Sequence, residues 1–309
     1  MKFALVLCLA VIADEIFGDP ARFPHPVRMI GRVINFWHRI IFSDTESFFD
    51  GLAVSLLTIF TAGLFAGLTA VLADGNVIFQ VYALYSAIAW RDLKDETAPV
   101  FFALVKKDLD SARKYLSFVV GRDTENLDET EIARAVIETV AENSVDGVIS
   151  VMFFAAIGYA VSPVWGMPVI VWAFKAASTL DSMIGYESFG RYGTASARID
   201  DVMNFLTARI GGLMIVLTGG NFREALRVFA SDRTKHKSPN SAHPESAFAG
   251  VLGLRLGGGA FYGGKFEARP FLNEAGNDPV TADIVRAWKV LDVSCFAFTG
   301  MLVILSCLS

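Results

Sequence analysis

The sequence predicts an all-α polytopic membrane protein with about five or six membrane helices, one of them broken or re-entrant, and large polar helical loops. Three observations carry that expectation. Of 309 residues, 53% are hydrophobic and 19% charged, with 26 Phe, and the mean hydropathy of +0.47 lies above that of an ordinary soluble domain. Gly51 to Ala73 runs for 23 residues without a charge, which as a helix is about 35 Å long against roughly 30 Å of hydrocarbon. Val148 to Phe174 is long enough to cross, but Pro163, Gly166 and Pro168 interrupt it, and such breaks within a membrane line protein or a cavity.

The elements follow in order. Lys2 and the apolar stretch Phe3 to Ala13 read either as a signal peptide or as a retained first helix; retention is favoured because the residues after it belong to a motif. Val77 to Trp90 is apolar, short, and separated from the preceding run only by Asp74, Gly75 and Asn76, so it is expected to return across the membrane as the second arm of a hairpin. Arg91 to Glu142 reads as two polar amphipathic helices with a turn at Gly121-Arg122-Asp123 and start signals between Asn126 and Glu131. Val202 to Leu217 is apolar except for Arg209, which is either an intramembrane site or a snorkelling side chain. Trp288 to Leu308 carries only Lys289 and Asp292, near its start, and should span. Trp90 and Trp288, each at the end of an apolar run, are expected as interfacial anchors.

Charge and cysteine content exclude other classes. A net charge of -5 argues against nucleic acid as a partner, whose footprint is basic. Cys8, Cys295 and Cys307 lie in apolar stretches with no CxxC pattern, as inert small hydrophobes do. No internal repeat or boundary appears, so residues 1–309 read as a single membrane-embedded domain. On the hairpin reading, Gly18 to Asp50, Arg91 to Gly147 and Gly219 to Ala287 share one face and hold 4, 8 and 9 Lys/Arg. The positive-inside rule makes that face, and the active face, cytoplasmic in a multi-pass protein of the cell membrane.

Four clusters carry candidate chemistry. Glu138, Glu142 and Asp146 stand at i, i+4 and i+8, which stacks three like charges on one helix face. Either the acids face water, or they hold a hard cation such as Mg²⁺ together with a substrate phosphate, with Asn143 on the flank. Lys175, Ser178 and Ser182 share a helical face near Asp181 and offer an ammonium and hydroxyls to a phosphate; the plain alternative is a snorkelling Lys with ordinary capping. Arg198, Asp200, Asp201 and Asn204 form a third group, in which Arg198 and Asp201 are equally an i, i+3 surface pair. Asp14 and Glu15 end the first helix and lead through Gly18-Asp19-Pro20 to His25-Pro26-Val27-Arg28, acids that are costly in a membrane without water, metal or a partner. Gly257 to Gly264 is glycine-rich but matches no nucleotide loop, and the four His fit no zinc pattern.

Taken in order, these clusters resemble the adenosylcobinamide-phosphate synthases of cobalamin biosynthesis, the CobD/CbiB membrane proteins. The resemblance rests on Gly18-Asp19-Pro20 with His25 to Arg28, on Arg91-Asp92-Leu93 and on Val120-Gly121-Arg122-Asp123. It continues through Glu138 to Gly147, Lys175 to Tyr186, Ala197 to Asp201, and Ser238 to Glu245 with Ala249 to Gly258. One departure stands out. The small residue, Gly and Trp usual before Pro-Glu are here Ser241-Ala242-His243, so the family's detailed role for this loop, including substrate selection, does not carry over.

The resemblance implies an amide ligase that joins adenosylcobyric acid to (R)-1-aminopropan-2-ol phosphate or a related amino-alcohol phosphate, giving adenosylcobinamide phosphate. ATP and Mg²⁺ take part, and the corrinoid is substrate rather than cofactor. A carboxylate is a poor electrophile, so the route through an acyl phosphate needs cations around the moving phosphoryl group and a deprotonated amine. The catalytic expectation falls on Lys175 and Arg198 for phosphate, with Asp181 or Glu245 to deprotonate the amine. Substrate contacts are expected from Asp19, His25, Arg28, Arg91, Asp92, Asn143, Ser178, Asp201 and Asn240, and Mg²⁺ from Glu138, Glu142 and Asp146. The expected partners are the two substrates and the lipid bilayer, with further copies of the chain or other cobalamin-pathway enzymes. With Val148 to Phe174 as one full span, Lys175, Asp181 and Arg198 face away from Glu138 to Asp146, so a single site requires either a re-entrant turn at Pro163 to Pro168 or that Val77 to Trp90 does not span. Two alternatives are a transporter, which should show more spans and internal repeats, and a Mg-dependent membrane phospho-alcohol transferase, whose motifs are more tightly spaced than Asp146-Gly147 and Ala197-Arg198.

Overall fold

The computed structural model describes residues 1–19, 25–43, 46–185 and 189–308; Pro20 and Tyr186, which the motifs include, lie outside them. Helices dominate. In chain order they are α1 (Lys2–Phe17), α2 (Pro26–Ile41), α3 (Phe48–Leu72), α4 (Val77–Tyr85), α5 (Trp90–Val105), α6 (Leu109–Leu116), α7 (Glu129–Asn143), a π-helical segment (Ser144–Ile149), α8 (Ser150–Val161), α9 (Gly166–Ile184), α10 (Gly190–Thr218), α11 (Phe222–Asp232) and α12 (Ala242–Leu252). Four short strands follow, β1 (Leu256–Gly257), β2 (Ala260–Tyr262), β3 (Lys265–Glu267) and β4 (Phe271–Leu272), before α13 (Thr281–Leu308). Phe48–Leu72, Glu129–Val161, Gly190–Thr218 and Thr281–Leu308 are long and apolar enough to cross a membrane. The chain divides into two compact units, residues 1–89, 150–204 and 299–309, and residues 90–149 and 205–298.

In the first unit, α2, α3 and α9 enclose a core of Ile30, Ile34, Val54, Leu180, Ile184 and Tyr192. Small residues set the close approaches. A Cβ on Gly51 would overlap the Tyr192 carbonyl, and one on Gly158 would lie 2.5 Å from the Gly166 oxygen. The Gly158 contact is the base of a helical hairpin, because α8 ends at Val161 and the chain turns back through Ser162-Pro163-Val164-Trp165 into α9. The broken apolar run is therefore a turn between two packed helices, as Pro163 and Pro168 foretell. Helix α1 buries Phe3, Val6, Leu7, Ala10, Val11 and Asp14 as one stripe and packs on α4 and α8.

Two sequence expectations change. Val77 to Trp90 is not a spanning arm: α4 has nine residues, about 14 Å at helical rise, and Gln80 Nε2 ties it to the Pro163 carbonyl at 2.5 Å. Trp90 is no interfacial anchor, because it is completely buried.

In the second unit, Trp90 Nε1 donates to Asp292 Oδ1 at 2.7 Å, which also takes Lys94 Nζ at 2.9 Å, and Trp288 Nε1 donates to Thr97 Oγ1 at 2.9 Å. These bonds give the Asp292 charge of α13 its partners. The polar stretch after Arg91 forms three helices rather than two. A turn separates α6 from α7, and α7 opens on a capping box in which Asp128 Oδ1 accepts the Glu131 N–H at 2.8 Å and Glu131 Oε2 accepts the Asp128 N–H at 2.9 Å. The strands pair antiparallel as β1 with β4 and β2 with β3, a small addition to a helical fold.

Candidate functional site

Helix α12 is the centre of the second unit's polar site. Ala242 to Gly250 are buried, so its one acid, Glu245, is carried inside the protein and is only 4% exposed. Burial, followed by the charges of Glu138 and Glu142, raises the Glu245 carboxyl well above its ordinary value, while Arg122 and Arg269 draw it back. A buried acid beside other acids favours its neutral form.

Glu138 reaches the same place from α7. Its Oε2 accepts from Arg122 Nη2 at 2.6 Å, and its Oε1 accepts the Gly257 N–H at 2.7 Å. Burial disfavours the Arg122 charge, but Glu138 together with Tyr262 and Glu245 more than offsets this and raises its pKa. Arg122 is aimed by its neighbour: both oxygens of Asp123 accept backbone N–H groups, from Gly263 at 3.0 Å and from Gly264 at 2.7 Å. That clamp seats the β2–β3 turn. The glycines between β1 and β2 are required by shape, since Gly257, Gly258 and Gly259 have φ of 81°, 95° and 94°. A Cβ on Gly259 would stand 2.6 Å from the Glu267 oxygen, and one on Gly258 would enter the Phe271 ring.

His236 and Arg269 complete the group. Lys235 bridges to Asp232 Oδ1 at 2.7 Å, and Asp232 Oδ2 accepts the Asn273 N–H at 2.7 Å, which holds the loop that turns His236 inward. Its Nδ1 lies 3.3 Å from Ser241 Oγ and 3.6 Å from Glu245 Oε1. Burial, with the Arg269 charge behind it, lowers the His236 pKa, so the ring is neutral near pH 7. Arg269 Nη2 donates to the Tyr262 hydroxyl at 2.9 Å. Arg122, Glu138, His236, Glu245, Arg269 and the backbone of Gly257 to Ala260 line one small polar pocket. Three of these side chains, Arg122, His236 and Arg269, are not among the sequence-derived site residues. Arg122 stood in a quoted motif, whereas His236 and Arg269 carry no local pattern.

Of the three expected metal carboxylates, Glu138 is engaged by Arg122 and Gly257, and Asp146 lies in the π-helical segment. Among the described residues, no group of three or more His, Cys, Asp or Glu side chains converges as a metal site. Asn143 is exposed and donates to the Thr139 carbonyl at 3.0 Å. Asn240 is buried and takes Arg209 Nη1 at 3.5 Å, while Arg91 pairs with Asp95 at 2.8 Å in an exposed i, i+4 bridge; Asp92 follows it in the first turn of α5.

The first unit collects a second set. His25 Nε2 stands 3.6 Å from Asp19 Oδ1. Burial lowers the His25 pKa, Asp19 opposes this, and Lys175 and Arg28 lower it further, so four of the expected residues act on one another. Ser178 presents its carbonyl to Ser182 Oγ at 3.0 Å. Asp181 folds over Gly185, where any Cβ would overlap its carboxylate, and feels the charge of Asp201. Arg198 is 72% exposed and pairs with Asp201 at 3.6 Å, the surface geometry of the plain alternative. Asp200 takes Asn204 Nδ2 at 3.1 Å, and Asn204 Oδ1 takes Ser150 Oγ at 3.0 Å, a buried network that holds helices together.

Comparison with known proteins matches the arrangement of motifs. The family described as CobD/Cbib protein covers residues 7–291. Cobalamin biosynthesis protein CobD of Pelobacter propionicus is 42% identical over 97% of this chain and 93% of its own. The CobD protein of Klebsiella pneumoniae is 40% identical over 94% and 93%, and cobalamin biosynthesis protein CbiB of Salmonella typhimurium is 37% identical over 98% and 97%. No solved structure matches. With a family match across nearly its whole length and relatives of this identity, the chain belongs to the CobD/CbiB family of cobalamin biosynthesis proteins.

Proposed function

We propose that this chain is an ATP-dependent amide ligase that joins the one activatable propionate of adenosylcobyric acid to (R)-1-aminopropan-2-ol phosphate or a related amino-alcohol phosphate. The observation that carries the reading is Glu245, a buried acid whose pKa is raised well above its ordinary value in a pocket shared with two guanidinium groups. A general base works best with a pKa near the operating pH, and the acceptor of an ammonium proton is what amide formation lacks.

The chemistry divides into two steps. The propionate oxygen attacks the γ-phosphorus of ATP, the bond to ADP breaks, and an acyl phosphate forms. The amine nitrogen then attacks the acyl carbon and inorganic phosphate leaves, while the amine proton passes to Glu245. Arg122 and Arg269 supply fixed positive charge where phosphoryl oxygens gather. In the first unit, Lys175 and Arg28 act on His25 beside Asp19, two cations suited to a phosphate-bearing substrate, and Arg198 adds an exposed cation.

Mg²⁺ belongs with the ATP phosphates, whose charge it neutralises. Glu138, Glu142 and Asp146 do not fit a three-carboxylate cage for it, since Glu138 is spent on Arg122 and Gly257, and no step here runs through a protein-held metal. The basic loops support a cytoplasmic active face, where both substrates and ATP are available.

The test is the purified protein in detergent with adenosylcobyric acid, Mg-ATP and each amino-alcohol phosphate, followed by mass spectrometry. One amide and one ADP per turnover are expected, with the product lost in Glu245→Leu. Failure to form an amide from any pairing, in protein that melts normally, overturns the reading; uptake of a corrinoid into vesicles without amide formation would replace it with transport.

A further inference from the structure

His236 presents a ring nitrogen that the protein leaves unused. Its side chain is 3% exposed, and Nε2 is buried without a hydrogen-bond partner. Leaving such a group unpaired is costly, and an unpaired buried group in a native structure calls for water, an ion or a ligand. Ser241 Oγ faces Nδ1 at 3.3 Å, and with the hydroxyl donating, Nδ1 is the acceptor and Nε2 carries the proton.

His236 and two guanidinium groups, Arg122 and Arg269, line one pocket. Arg122 is neutralised by Glu138, whereas among the described residues Arg269 bonds only the neutral Tyr262 hydroxyl. Burial favours the uncharged form of Glu245. One guanidinium charge, one neutral N–H donor and a free volume of about 10 Å³ then line the same space. That volume admits about one oxygen atom or one water, not a whole phosphate.

We propose that this pocket is an oxyanion subsite that takes one oxygen of a phosphate group between His236 Nε2–H and the Arg269 guanidinium. It rests on the ligase reading for the source of that phosphate, which is either the amino-alcohol phosphate or ATP. His236 acts as a fixed uncharged donor, so the oxygen is held without adding a further cation to the pocket. The Ser241 hydroxyl is a positioning group, because it fixes which nitrogen donates.

The experiment uses the full-length protein in detergent with ¹⁵N-labelled histidine rings, of which there are four. Inorganic phosphate, the amino-alcohol phosphate and ATP are titrated separately against a chloride control. A saturable shift of the His236 Nε2 resonance, assigned by its loss in His236→Gln and abolished by Arg269→Gln, supports the subsite. The compound that saturates it at the lowest concentration identifies the source. In turnover, His236→Leu should raise KM for that compound roughly ten- to a hundredfold with less effect on kcat, as loss of one hydrogen bond to a charged group does. His236→Gln, whose amide reaches the Nε2 position, should recover most of it. No phosphate-dependent shift in the wild-type protein, or equal kinetics in the Leu and Gln variants, overturns the subsite. If the Leu variant does not fold, the wild-type titration decides alone. Phosphate binding here without amide formation sinks the ligase reading and leaves the subsite; normal amide formation without the shift does the reverse.

Discussion

Glu138 accepts from Arg122 Nη2 at 2.6 Å through one oxygen and from the Gly257 N–H at 2.7 Å through the other, so a single carboxylate joins α7 to the start of the glycine-rich strands. Removing either partner strands a charge. Arg122→Met should cost roughly 3–5 kcal/mol of stability, whereas Arg122→Met with Glu138→Leu should cost less than the sum of the two single changes. Thermal melting of the four proteins in one detergent completes the cycle, and strict additivity would contradict the linkage.

The glycine positions separate by surroundings. Gly258 has φ of 95° and meets the Phe271 ring, so Gly258→Ala should lose more than about 2 kcal/mol through backbone and packing strain together. Gly263 has φ of 55° with nothing within 4 Å, and Gly263→Asn should cost only a few tenths of a kcal/mol because Asn tolerates that conformation. Comparable losses at both positions would show that packing does not govern this segment.

Glu245 sets stability against pH. Its folded pKa is raised above the ordinary 4.5, so its contribution is complete below that value and is lost as pH rises through the folded pKa. Glu245→Gln should therefore melt higher than the wild type at neutral and alkaline pH. As proton acceptor it should lower kcat by roughly 10²–10⁴. A variant that is both more stable and nearly inactive is the expected pairing; unchanged kcat would remove Glu245 from the reaction.

His243 acts in the opposite direction. Burial, then the charges of Arg209 and Arg233, push its pKa from 6.5 down to about 4, and its Nδ1 has no partner. Its contribution is present above pH 6.5 and is lost as pH falls toward 4, because the unfolded chain takes up the proton first. His243→Phe, which keeps the edge-on contact with Phe229 at 5.9 Å, should flatten the melting profile between those values. An unchanged acid limb would place the sensitivity elsewhere.

Much of the fold was legible because hydropathy acts over long windows. Gly51 to Leu72 and Trp288 to Leu308 stand inside α3 and α13, with Ala73 capping α3, and Pro163 with Pro168 marked the α8–α9 turn. Val77 to Trp90 misled because apolar content does not report length in helix: Ser86 to Ala89 leave the helical path after α4. Trp90 misled because an apolar run's end looks the same whether it meets lipid headgroups or Asp292. The candidate site was half legible. Glu138 and Glu245 can be named from their motifs, but the bonds that engage Glu138 with Arg122 and Gly257 and the π-helical segment Ser144–Ile149 carry no local sequence signal. His236 and Arg269 were hidden because only tertiary packing brings a loop residue and a strand-flanking residue to α12.

The glycine-rich stretch has the composition of a phosphate loop, yet its backbone donors are already taken by the chain's own acids: Gly257 by Glu138, and Gly263 and Gly264 by Asp123. A tethered carboxylate competes at an effective concentration of about the millimolar range or above and never diffuses away. Cellular phosphate and nucleotides would have to displace an intramolecular rival to occupy these three N–H groups, so at those positions the glycines serve the fold rather than a free anion.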